Sequence, residues 1–286
     1  MSIRQTITAS IIRLLESGAA EGRPRWVRQA GLPCNALTGQ AYRGINVVLL
    51  WAAAAAQGYH SNRWLTYKQA QSVGAQVRQG ESGVLCVYFA RVTRRALVEA
   101  ESEETGLERG YPMAKAFWLF NLDQIDGLPA SLAPAQAVVD FAPVAQAEQV
   151  LLATGARIRY GFDQAFYQPQ RDEICLPEPG RFTSEANYYA TALHELAHWT
   201  GHASRLNRNL DNRFGDHAYA MEELVEELAA AFCMGHLGLV DGMLEQHASY
   251  LDHWIRCLQA DSSAIFAAAS QAARASDYIL GMGSQA

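Results

Sequence analysis

The sequence predicts an α+β protein with two domains, an N-terminal α+β domain and a C-terminal domain that is mostly helical with a small sheet. Its 286 residues are 50% hydrophobic, which is enough for two cores of ordinary size. Short helical and β-branched segments fill the first half, whereas long helical periodicities dominate the second. Between them, three prolines among alanines make residues 128–143 the best linker candidate. We therefore expect domains at 1–127 and 144–286.

The net charge of −6 is divided unequally between the two halves. Residues 1–95 hold 12 Lys and Arg against three acids, a balance of +9. Residues 96–286 hold 11 basic and 26 acidic residues, a balance of −15. No Asp or Glu occurs between Glu21 and Glu81. Because soluble domains normally mix both signs, a segment this poor in acid indicates a polyanionic partner.

The elements of the N-terminal domain follow from periodicity and turn residues. Apolar side chains at helical spacing, followed by Gly18, predict a first helix, and β-branched and aromatic residues predict two paired strands. The acidic stretch 99–110 lies between these strands, so we expect a solvent-exposed excursion of their hairpin. In order, the predicted elements are helix 2–17, turns over 35–44, helices 45–56 and 66–74, and strands 84–92 and 114–121.

The elements of the C-terminal domain are mostly helices. The segment 165–177 looks like a hairpin, and its prolines fit an edge strand because proline cannot donate a hydrogen bond to a neighbouring strand. Apolar residues at helical spacing account for most of the remainder. In order, the predicted elements are helix 144–154, strand 157–160, hairpin 165–177, and helices 184–200, 217–238, 242–258 and 261–279.

The clearest motif is an H-E-x-x-H sequence, His194-Glu195-Leu196-Ala197-His198, inside the helix predicted at 184–200. On a 3.6-residue repeat the two histidines are one turn apart, so both imidazoles project from the same face. That spacing suits two nitrogen ligands of one Zn²⁺ ion, with another divalent metal as the alternative. Glu195 lies beside them and is the expected catalytic base toward a water molecule at the metal.

A zinc site of this kind needs a third protein ligand. The metzincin pattern H-E-x-x-H-x-x-G-x-x-H fails because its last position is Ser204. Glu223 and Glu227 lie against the apolar face of the helix predicted at 217–238, and a carboxylate directed at a core needs a partner. Their spacing resembles the E-x-x-x-D arrangement of gluzincins. The resemblance implies Glu223 as the metal ligand and Glu227 as the partner of a ligand histidine.

Other residues near the motif are rival ligands. Glu222 and Glu226 fall further round the same helix, toward the expected solvent side. His217 and His202 lack helical spacing to the motif and are expected to be surface or loop histidines. The choice of Glu223 over these four residues therefore rests on the helical face and on the gluzincin resemblance.

Basic residues interleaved with aromatic residues give the N-terminal half the two ingredients of single-stranded DNA binding. Cations neutralise phosphates, and exposed rings stack on unpaired bases, which contributes about 1–3 kcal/mol each. Trp26 and Trp64, each beside arginine in a polar turn, are the preferred stacking rings, whereas Trp51 and Tyr88 are assigned to the core. The candidate DNA-binding residues are Arg23, Arg25, Trp26, Arg28, Tyr42, Arg43, Arg63, Trp64, Lys68 and Arg78.

The cysteines and the apolar runs bear on the cellular compartment. The five cysteines are scattered, odd in number and without C-x-x-C spacing, so we expect free thiols in a reducing environment. No apolar run is long enough for a membrane span, and no signal-peptide core follows the first residues. We therefore expect a cytoplasmic protein without a membrane partner.

Several blocks of the chain resemble a known family. Residues 33–46, P-C-N-A-L-T-G-Q-A-Y-R-G-I-N, resemble the P-x-N-x-x-T-G-x-x-Y-R-G-x-N signature of the ArdC-type antirestriction proteins of conjugative plasmids. Residues 63–70 and 77–81 are similar to that family's next blocks, W-x-T-[FY]-x-Q and V-[RK]-x-G-E. Residues 194–208 look like its zincin half. The resemblance covers essentially the whole chain in the family's order, and one position departs from it: Glu226 stands where the family pattern has a small residue.

The resemblance implies a function as well as a fold. It implies a single-stranded-DNA-binding domain, also found at the front of some plasmid primases, joined to a metallopeptidase-like domain. It further implies a role in shielding entering plasmid DNA from host restriction. Two hypotheses follow: the protein protects DNA by coating it, or it is an active zinc metalloprotease that DNA recruits to a protein such as a host restriction component. Hydrolysis of DNA itself is disfavoured, because no second metal site or carboxylate cluster is visible.

Overall fold

The structure, a computed structural model, describes residues 2–19, 31–92, 111–132, 143–208, 217–239 and 248–281, without the side chains of 17–19, 89–92, 111–114, 143–144, 217 and 248–250. The helices within these ranges are α1 (Ile3–Ala19), α2 (Ile45–Gln57), α3 (Tyr67–Ser72), α4 (Pro143–Ala153), α5 (Glu185–Thr200), α6 (His217–His236), α7 (Ala248–Ala260) and α8 (Ala264–Ile279). The strands are β1 (Cys34–Asn35), β2 (Arg63–Leu65), β3 (Gln76–Val77), β4 (Val84–Val92), β5 (Tyr111–Asn121), β6 (Ile125–Asp126), β7 (Arg157–Tyr160), β8 (Phe166–Gln168) and β9 (Glu173–Leu176). The predicted α+β class is confirmed.

The N-terminal domain is built on a four-stranded sheet in the order β1-β2-β5-β4, with β3 and β6 paired separately. Strands β4 and β5 form the long antiparallel hairpin that the sequence predicts, with Val84 opposite Leu119 and Tyr88 opposite Lys115. The acidic excursion expected at 99–110 lies outside the described residues. One face of the sheet packs on α2, since Leu50, Trp64, Cys86 and Leu119 form one buried cluster with Ala54. The other face carries Trp118 and Phe120, because side chains alternate along a strand.

The turn segment at 35–44 folds through its own polar residues. The carboxamide oxygen of Asn35 accepts hydrogen bonds from the backbone N–H groups of Leu37 and Thr38, at 3.0 and 3.1 Å. Gly44 precedes α2 with a φ of 56°, a conformation that favours glycine. Asn46 then pairs with the backbone of Val87 through both its amide nitrogen and its oxygen, at 2.7 and 3.0 Å. This segment therefore joins the start of α2 to the edge strand β4.

The C-terminal domain is a small sheet with helices packed beside it. Strand β9 lies between β7, to which it is parallel, and β8, to which it is antiparallel. The hairpin predicted at 165–177 is confirmed, and β8 is its edge strand. Helix α6 lies between α5 and α8 and also contacts α7, and its residues 223–230 are all buried. Helix α6 is therefore buried on every side over this stretch.

The two domains share one continuous core. Ile7, Ile11 and Leu15 of α1 belong to the same buried cluster as the helices of the C-terminal domain. The hydroxyl of Thr8 donates to the carbonyl of Ser262 at 2.8 Å, which ties α1 to the α7–α8 connection. No local pattern in the sequence indicates this contact, because it joins residues 254 positions apart. The domain bounds 1–127 and 144–286 stay predictions, and residues 133–142 of the predicted linker lie outside the described residues.

Two further features of the described residues are the state of the cysteines and the character of the helices. All five cysteines are free, and burial raises the pKa of Cys86 and of Cys233 to about 12. Thiols with a raised pKa are poor nucleophiles at neutral pH, so neither is a candidate reactive cysteine. Among the described helices, none combines the length and apolar character needed to cross a membrane.

Candidate metal centre and nucleic-acid interface

The H-E-x-x-H motif lies on α5, which runs from Glu185 to Thr200 and confirms the helix predicted at 184–200. Ser184 caps its first turn, where its hydroxyl accepts a hydrogen bond from the backbone N–H of Asn187 at 3.1 Å. Leu193 and Leu196 are fully buried and hold the motif turn against the core. The helix ends at Thr200, two residues after His198, so both histidines lie in its last two turns. A short, capped and buried helix of this kind gives the two imidazoles fixed positions.

The structure brings His194, His198 and Glu223 together. One ligand atom from each of them lies within 4.8 Å of the other two. Nε2 of His194 is 3.6 Å from Oε2 of Glu223, and Nε2 of His198 is 3.8 Å from Oε1 of the same carboxylate. The two imidazole rings are nearly perpendicular, at 84°, with centroids 4.9 Å apart. The two nitrogens and one carboxylate thus converge on one point between α5 and α6.

Glu226 is the carboxylate that contacts a ligand histidine. Its Oε1 lies 2.6 Å from Nδ1 of His198, the ring nitrogen on the far side from Glu223. The sequence-based placement of Glu226 toward solvent is wrong, since this residue is fully buried. The prediction failed because it assumed one solvent-exposed face for α6, and α6 is buried all round at this level. Glu227, expected in the role of histidine partner, is also buried, at 8% exposure, but the contact to His198 is made by its neighbour.

A buried arginine accompanies these acids. Arg208 follows α5 in a short loop, and its side chain is only 6% exposed. Its Nε donates to Glu222 at 2.7 Å, and its Nη2 lies 3.5 Å from Glu226. The expected solvent position of Glu222 is also wrong, because its side chain is only 13% exposed. Glu226, the residue that departs from the family pattern, therefore lies beside the buried cation of Arg208. The sequence does not indicate that these two residues are neighbours.

Glu195 points into the same buried region and is 5% exposed. Burial is the largest cause that raises its pKa to about 8, the charge of Glu223 adds to the rise, and a backbone hydrogen bond with Tyr167 lowers it. Its Oε2 is buried and has no hydrogen-bond partner among the residues that the structure describes. Such an oxygen is expected at a site where a ligand completes the shell.

The rival histidines take no part in this cluster as far as they are described. His202 lies beyond the end of α5, and its Nδ1 is 2.8 Å from the hydroxyl of Ser204. His217 is the first residue of α6, and its side chain lies outside the described residues. Among the described residues, the cluster of possible metal ligands is His194, His198 and Glu223.

The donor set fits a divalent metal ion. Two imidazole nitrogens and one carboxylate are a known ligand set of zinc sites that keep a fourth position for water. Two further observations favour a cation there. Glu195 and Glu223 are both buried with their charges close enough to raise the pKa of Glu195, and Glu195 keeps one oxygen without a partner among the described residues. A buried cation would compensate both carboxylates, because buried charges are normally paired or bind metals.

A second arginine secures the hairpin next to the motif. Arg205 donates to Asp172 at 2.9 Å through Nη1 and to the backbone oxygen of Trp199 at 2.6 Å through Nε. Its guanidinium lies over the Trp199 ring, 3.8 Å from the centroid. Asp172 also accepts from the hydroxyl of Tyr167 at 2.7 Å. This network joins the end of α5 to β8, whose Tyr167 backbone reaches Glu195.

The candidate DNA-binding residues do not form one surface. Arg23, Arg25, Trp26 and Arg28 lie outside the described residues. Trp64 is wrong as a stacking ring, because it is fully buried in β2 and packs edge-on against Tyr59 at 6.0 Å. Its polar neighbour Arg63 misled the prediction, since adjacent residues of a strand face opposite sides. Tyr42 is half-buried, and burial raises its pKa to about 12.

The basic residues predicted to bind DNA differ in the contacts that their side chains make. Arg43 pairs with Asp277, and Arg78 pairs with Glu81 at 2.9 Å and with Asp126 at 3.3 Å. Arg63 donates to the backbone oxygens of Ala36 and Leu132, at 2.7 and 3.3 Å, so it braces loops. Lys68 is exposed and makes no ion pair with another described side chain.

Three other rings are exposed: Trp118 and Tyr67 lie on the side of the sheet that carries Phe120, and Tyr88 lies on the side that packs on α2. Trp118 is 56% exposed, Tyr88 is 49% exposed and Tyr67 is 42% exposed. The assignment of Tyr88 to the core is wrong. The cluster under α2 extends along the hairpin to Cys86 and Phe117, and Tyr88 and Lys115 are the next pair on that face. Trp118 was missed because the run Phe117-Trp118-Leu119-Phe120 is apolar throughout and carries no alternation that separates its two faces.

Family models match both halves of the chain. Residues 1–120 match the N-terminal domain of anti-restriction factor ArdC, and residues 145–271 match a zincin-like metallopeptidase. The fold and the converging ligands thus define a two-domain protein with a zincin-like metallopeptidase domain.

Relatives and solved structures narrow this class. Two crystal structures of the antirestriction ArdC protein from plasmid R388 match this chain with a TM-score of 0.80. The metal-free structure is 40% identical, and the match covers 98% of this chain and 97% of the R388 chain. The Mn(II)-bound structure is 38% identical, and the match covers 100% of this chain and 99% of the R388 chain. Protein y4eC of Sinorhizobium fredii is 37% identical over 97% of this chain and 91% of its own length. The chain belongs to the ArdC family of antirestriction proteins, which confirms the resemblance seen in the sequence.

Two longer proteins contain a segment that is similar in sequence to nearly the whole of this chain. The DNA primase TraC of Escherichia coli is 39% identical over 291 residues, which are 96% of this chain. A second TraC primase is 40% identical over 290 residues. The chain spans only 27% and 20% of the lengths of these two primases.

Proposed function

We propose that His194, His198 and Glu223 bind one divalent metal ion, with zinc as the favoured metal because of the donor set. The observation that carries this proposal is the convergence of the three ligand atoms within 4.8 Å in a buried site. The Mn(II)-bound structure of the R388 protein supports a divalent metal in this family. A titration of the metal-free protein with zinc and with manganese, followed by calorimetry, tests it. One metal ion bound per chain is the expected result, and no saturable binding would contradict it.

The residues around this point support hydrolysis of a peptide bond. A bound divalent metal supplies Lewis acidity toward a carbonyl and toward water. Glu195 lies on the same helix turn as the ligands, and one of its oxygens has no partner among the described residues. It is therefore placed to accept a proton from the attacking water and to return it to the leaving amine. The backbone hydrogen bond from Tyr167 fixes its orientation.

Hydrolysis is tested with the full chain, labelled denatured casein and the variant Glu195→Gln. We expect metal-dependent cleavage by the parent and a loss of at least about 100-fold in the variant, the range of a general base. The variant must still bind the metal, which calorimetry checks. Cleavage that persists at the parent rate in a metal-bound Glu195→Gln protein would remove Glu195 from the mechanism.

The N-terminal domain is proposed to bind single-stranded DNA. Trp118 and Phe120 lie on the outer face of β5, and the ring of Tyr67 is 6.3 Å from that of Phe120. Exposed rings in a row are the usual platforms for unpaired bases. Lys68, which follows Tyr67, is exposed and makes no ion pair with another described side chain, so it is available for phosphates. The balance of +9 in residues 1–95 favours the same partner.

DNA binding is tested on the full chain with a labelled oligothymidylate and with a duplex of the same length. We expect tighter binding to the single strand and a steep loss of affinity with salt, since released counterions drive the association. Equal binding to both, or binding that does not change with salt, would contradict the proposal.

The biological role proposed for the chain is the protection of entering plasmid DNA from host restriction in the cytoplasm. Its membership in the ArdC family and its two-domain architecture support this role. The five free cysteines agree with a reducing compartment. Protection follows most directly from coating of single-stranded DNA. The alternative is a zinc metalloprotease that DNA recruits to a host restriction component, and the buried metal-ligand cluster beside Glu195 is the observation that favours it.

A mating assay separates these two routes. Plasmids that encode the parent protein or the Glu195→Gln variant are transferred into a restricting host. Transfer that is protected equally by both proteins supports DNA coating. Loss of protection by a variant that still binds DNA and metal supports proteolysis.

A further inference from the structure

Arg208 holds the end of the motif helix through two hydrogen bonds. Its Nη2 donates to the backbone oxygen of Ala197 at 2.6 Å, and its Nη1 donates to the hydroxyl of Thr200 at 2.8 Å. These two acceptors flank the ligand His198 in the last turn of α5. The carbonyl groups of a last helical turn have no partners within the helix, so a buried cation is well placed there.

The same guanidinium holds the second ligand helix. Its Nε donates to Oε1 of Glu222 at 2.7 Å, and its Nη2 lies 3.5 Å from Oε1 of Glu226. These two acids precede and follow the ligand Glu223 on α6. One side chain that is 6% exposed therefore contacts both helices that carry the metal ligands. The planar fork of arginine allows this, because its donors point in several fixed directions at once.

Backbone hydrogen bonds hold the loop before Arg208 against the end of α5. The backbone N–H of Leu206 donates to Thr200 at 2.9 Å, and that of Arg208 donates to Gly201 at 2.9 Å. Asn207 has a φ of 50°, a left-handed conformation that turns the chain back over the end of α5. The loop thus returns to the motif helix immediately before the position of the guanidinium.

We infer that Arg208 is the positioning residue of the metal centre, because it sets the distance between α5 and α6 and keeps Glu226 against Nδ1 of His198. Oε1 of Glu226 lies 2.6 Å from Nδ1 of His198, and at this distance Glu226 in its ionised form would favour the tautomer with the proton on Nδ1. That tautomer leaves the lone pair of Nε2 directed at Glu223 and the metal position. Arg208 touches neither the metal position nor a substrate, so it acts through Glu226, Ala197 and Thr200. The inference rests on the proposed metal centre.

The chain offers a matched control in Arg205. This arginine lies in the same loop, is 8% exposed, and also bonds a backbone oxygen of α5, that of Trp199. It pairs with Asp172 on the sheet side and reaches no acid of α6 in the described structure. Replacement of either arginine by lysine keeps one positive charge and removes the planar fork. A general need for a buried cation in this loop would affect both variants alike.

The experiment measures zinc and manganese affinities of the full chain by calorimetry for the parent, Arg208→Lys and Arg205→Lys. We expect Arg208→Lys to lose about 10- to 100-fold in metal affinity, the range known for partners of ligand histidines. We expect Arg205→Lys to stay within about threefold of the parent, because it does not contact the ligand partners. Equal affinities of the parent and Arg208→Lys, or equal losses in the two variants, would overturn the inference.

A second readout does not need the metal. Nitrogen-15 NMR of the metal-free protein reports which ring nitrogen of His198 carries the proton. We expect the Nδ1–H form in the parent and in Arg205→Lys, and a mixture of both tautomers in Arg208→Lys. An unchanged Nδ1–H form in Arg208→Lys would overturn the inference. A parent that binds no metal would instead contradict the proposed metal centre, and the tautomer comparison would still decide the role of Arg208.

A milder variant covers the case in which Arg208→Lys does not fold, which circular dichroism and thermal melting show. Glu222→Gln keeps the shape of the side chain that anchors Nε and removes its charge. We expect the same direction of change, a loss of metal affinity and a mixed tautomer of His198, with a smaller amplitude. Parent-like affinity together with a parent-like tautomer in a folded Glu222→Gln protein would overturn the inference.

Discussion

The proposed metal centre and the proposed DNA-binding face are built in opposite ways. The proposed metal centre joins two neighbouring helices at a buried point, and two of its three candidate ligands are four residues apart. The exposed rings of Tyr67 and Trp118 come from separate elements, and only the complete fold shows that neighbouring segments leave them exposed. Helical spacing therefore identifies ligands directly, because the helix fixes which residues share a face. Exposure depends on the whole fold, so composition alone identifies a surface poorly.

Charge illustrates the same difference. The N-terminal half contains no acid between Glu21 and Glu81, yet two of its predicted DNA contacts are neutralised in the structure. Asp277 of α8 pairs with Arg43, and Asp126 of β6 pairs with Arg78. Both acids come from later in the chain. A basic segment in the sequence is therefore not a basic surface until the fold has placed the remaining acids.

The largest effect is expected from the third ligand. Glu223→Gln removes the carboxylate that lies 3.6 and 3.8 Å from the two histidine nitrogens. We expect a loss of more than about 100-fold in zinc affinity, since loss of outer partners alone costs about 10- to 100-fold. The matched control is Glu227→Gln on the same helix, for which we expect less than about 10-fold. Calorimetry on both variants decides it, and a larger loss in Glu227→Gln would exchange the two roles.

The next effect separates an exposed ring from a buried one. Trp118→Ala removes a ring that is 56% exposed, and we expect a loss of about 1–3 kcal/mol in affinity for single-stranded DNA. Its free energy of unfolding is expected to change by less than about 0.5 kcal/mol. Trp64→Ala removes a fully buried ring, so we expect it to lose about 3–5 kcal/mol of stability. Urea unfolding and oligonucleotide binding measure both variants. Unchanged DNA affinity in Trp118→Ala would remove this face from the interface.

A third test compares an available cation with a neutralised one. Lys68→Ala is expected to reduce the slope of log affinity against log salt by about 0.7, the value for one phosphate contact with a single strand. Arg78→Ala is expected to leave the slope nearly unchanged, because Arg78 already pairs with Glu81 and Asp126. Binding to an oligothymidylate at several salt concentrations measures both slopes. Equal slopes in the two variants would mean that ion pairing does not decide which cation meets DNA.

The smallest effect is expected from Asp172, which pairs with Arg205 in the C-terminal domain. The hydrogen bond from Arg205 is the largest cause that lowers the pKa of Asp172 below its usual value of 3.8, and Tyr167 adds to it. A carboxyl with a lowered folded pKa stabilises the fold above its unfolded pKa and loses this contribution as pH falls through the folded pKa. We therefore expect Asp172→Asn to lower the urea midpoint at pH 7 and to equal the parent below the folded pKa.

The control for that prediction is Asp163→Asn, whose side chain is 97% exposed and pairs with Arg181. Exposed ion pairs contribute little, so we expect no clear change of the urea midpoint at pH 7. A midpoint of Asp172→Asn that differs from the parent equally at both pH values would contradict the role of its charge.

The sequence predicts the metal-ligand helix closely and the second helix only in part. The motif helix is found within one residue, because the N-cap residue Ser184 and the apolar spacing are local signals. Glu223 lies opposite the Nε2 atoms of both histidines, at 3.6 and 3.8 Å, but the expected solvent position of Glu226 is wrong. The helical-face argument assumes solvent on one side, whereas α5, α7 and α8 surround α6. No local sequence pattern distinguishes a helix with one solvent-exposed side from a helix that other helices surround.

The remaining errors arise from contacts between distant segments. Trp64 is buried because β2 lies inside a sheet whose neighbour β5 follows about fifty residues later in the chain, and three residues of β2 are too few to show alternation. The shared core of α1 and the C-terminal helices could not be predicted, since it pairs the first and last elements of the chain.

The measurement that tests the central claim most directly is the coordination shell of the metal. Crystals of the full chain grown with zinc, with data collected on both sides of the zinc absorption edge, locate the ion and its ligands. The account predicts one zinc ion bound by Nε2 of His194, Nε2 of His198 and a carboxylate oxygen of Glu223, with Glu226 bonded to Nδ1 of His198. A zinc ion held instead by Glu226, Glu227, His202 or His217 would contradict it.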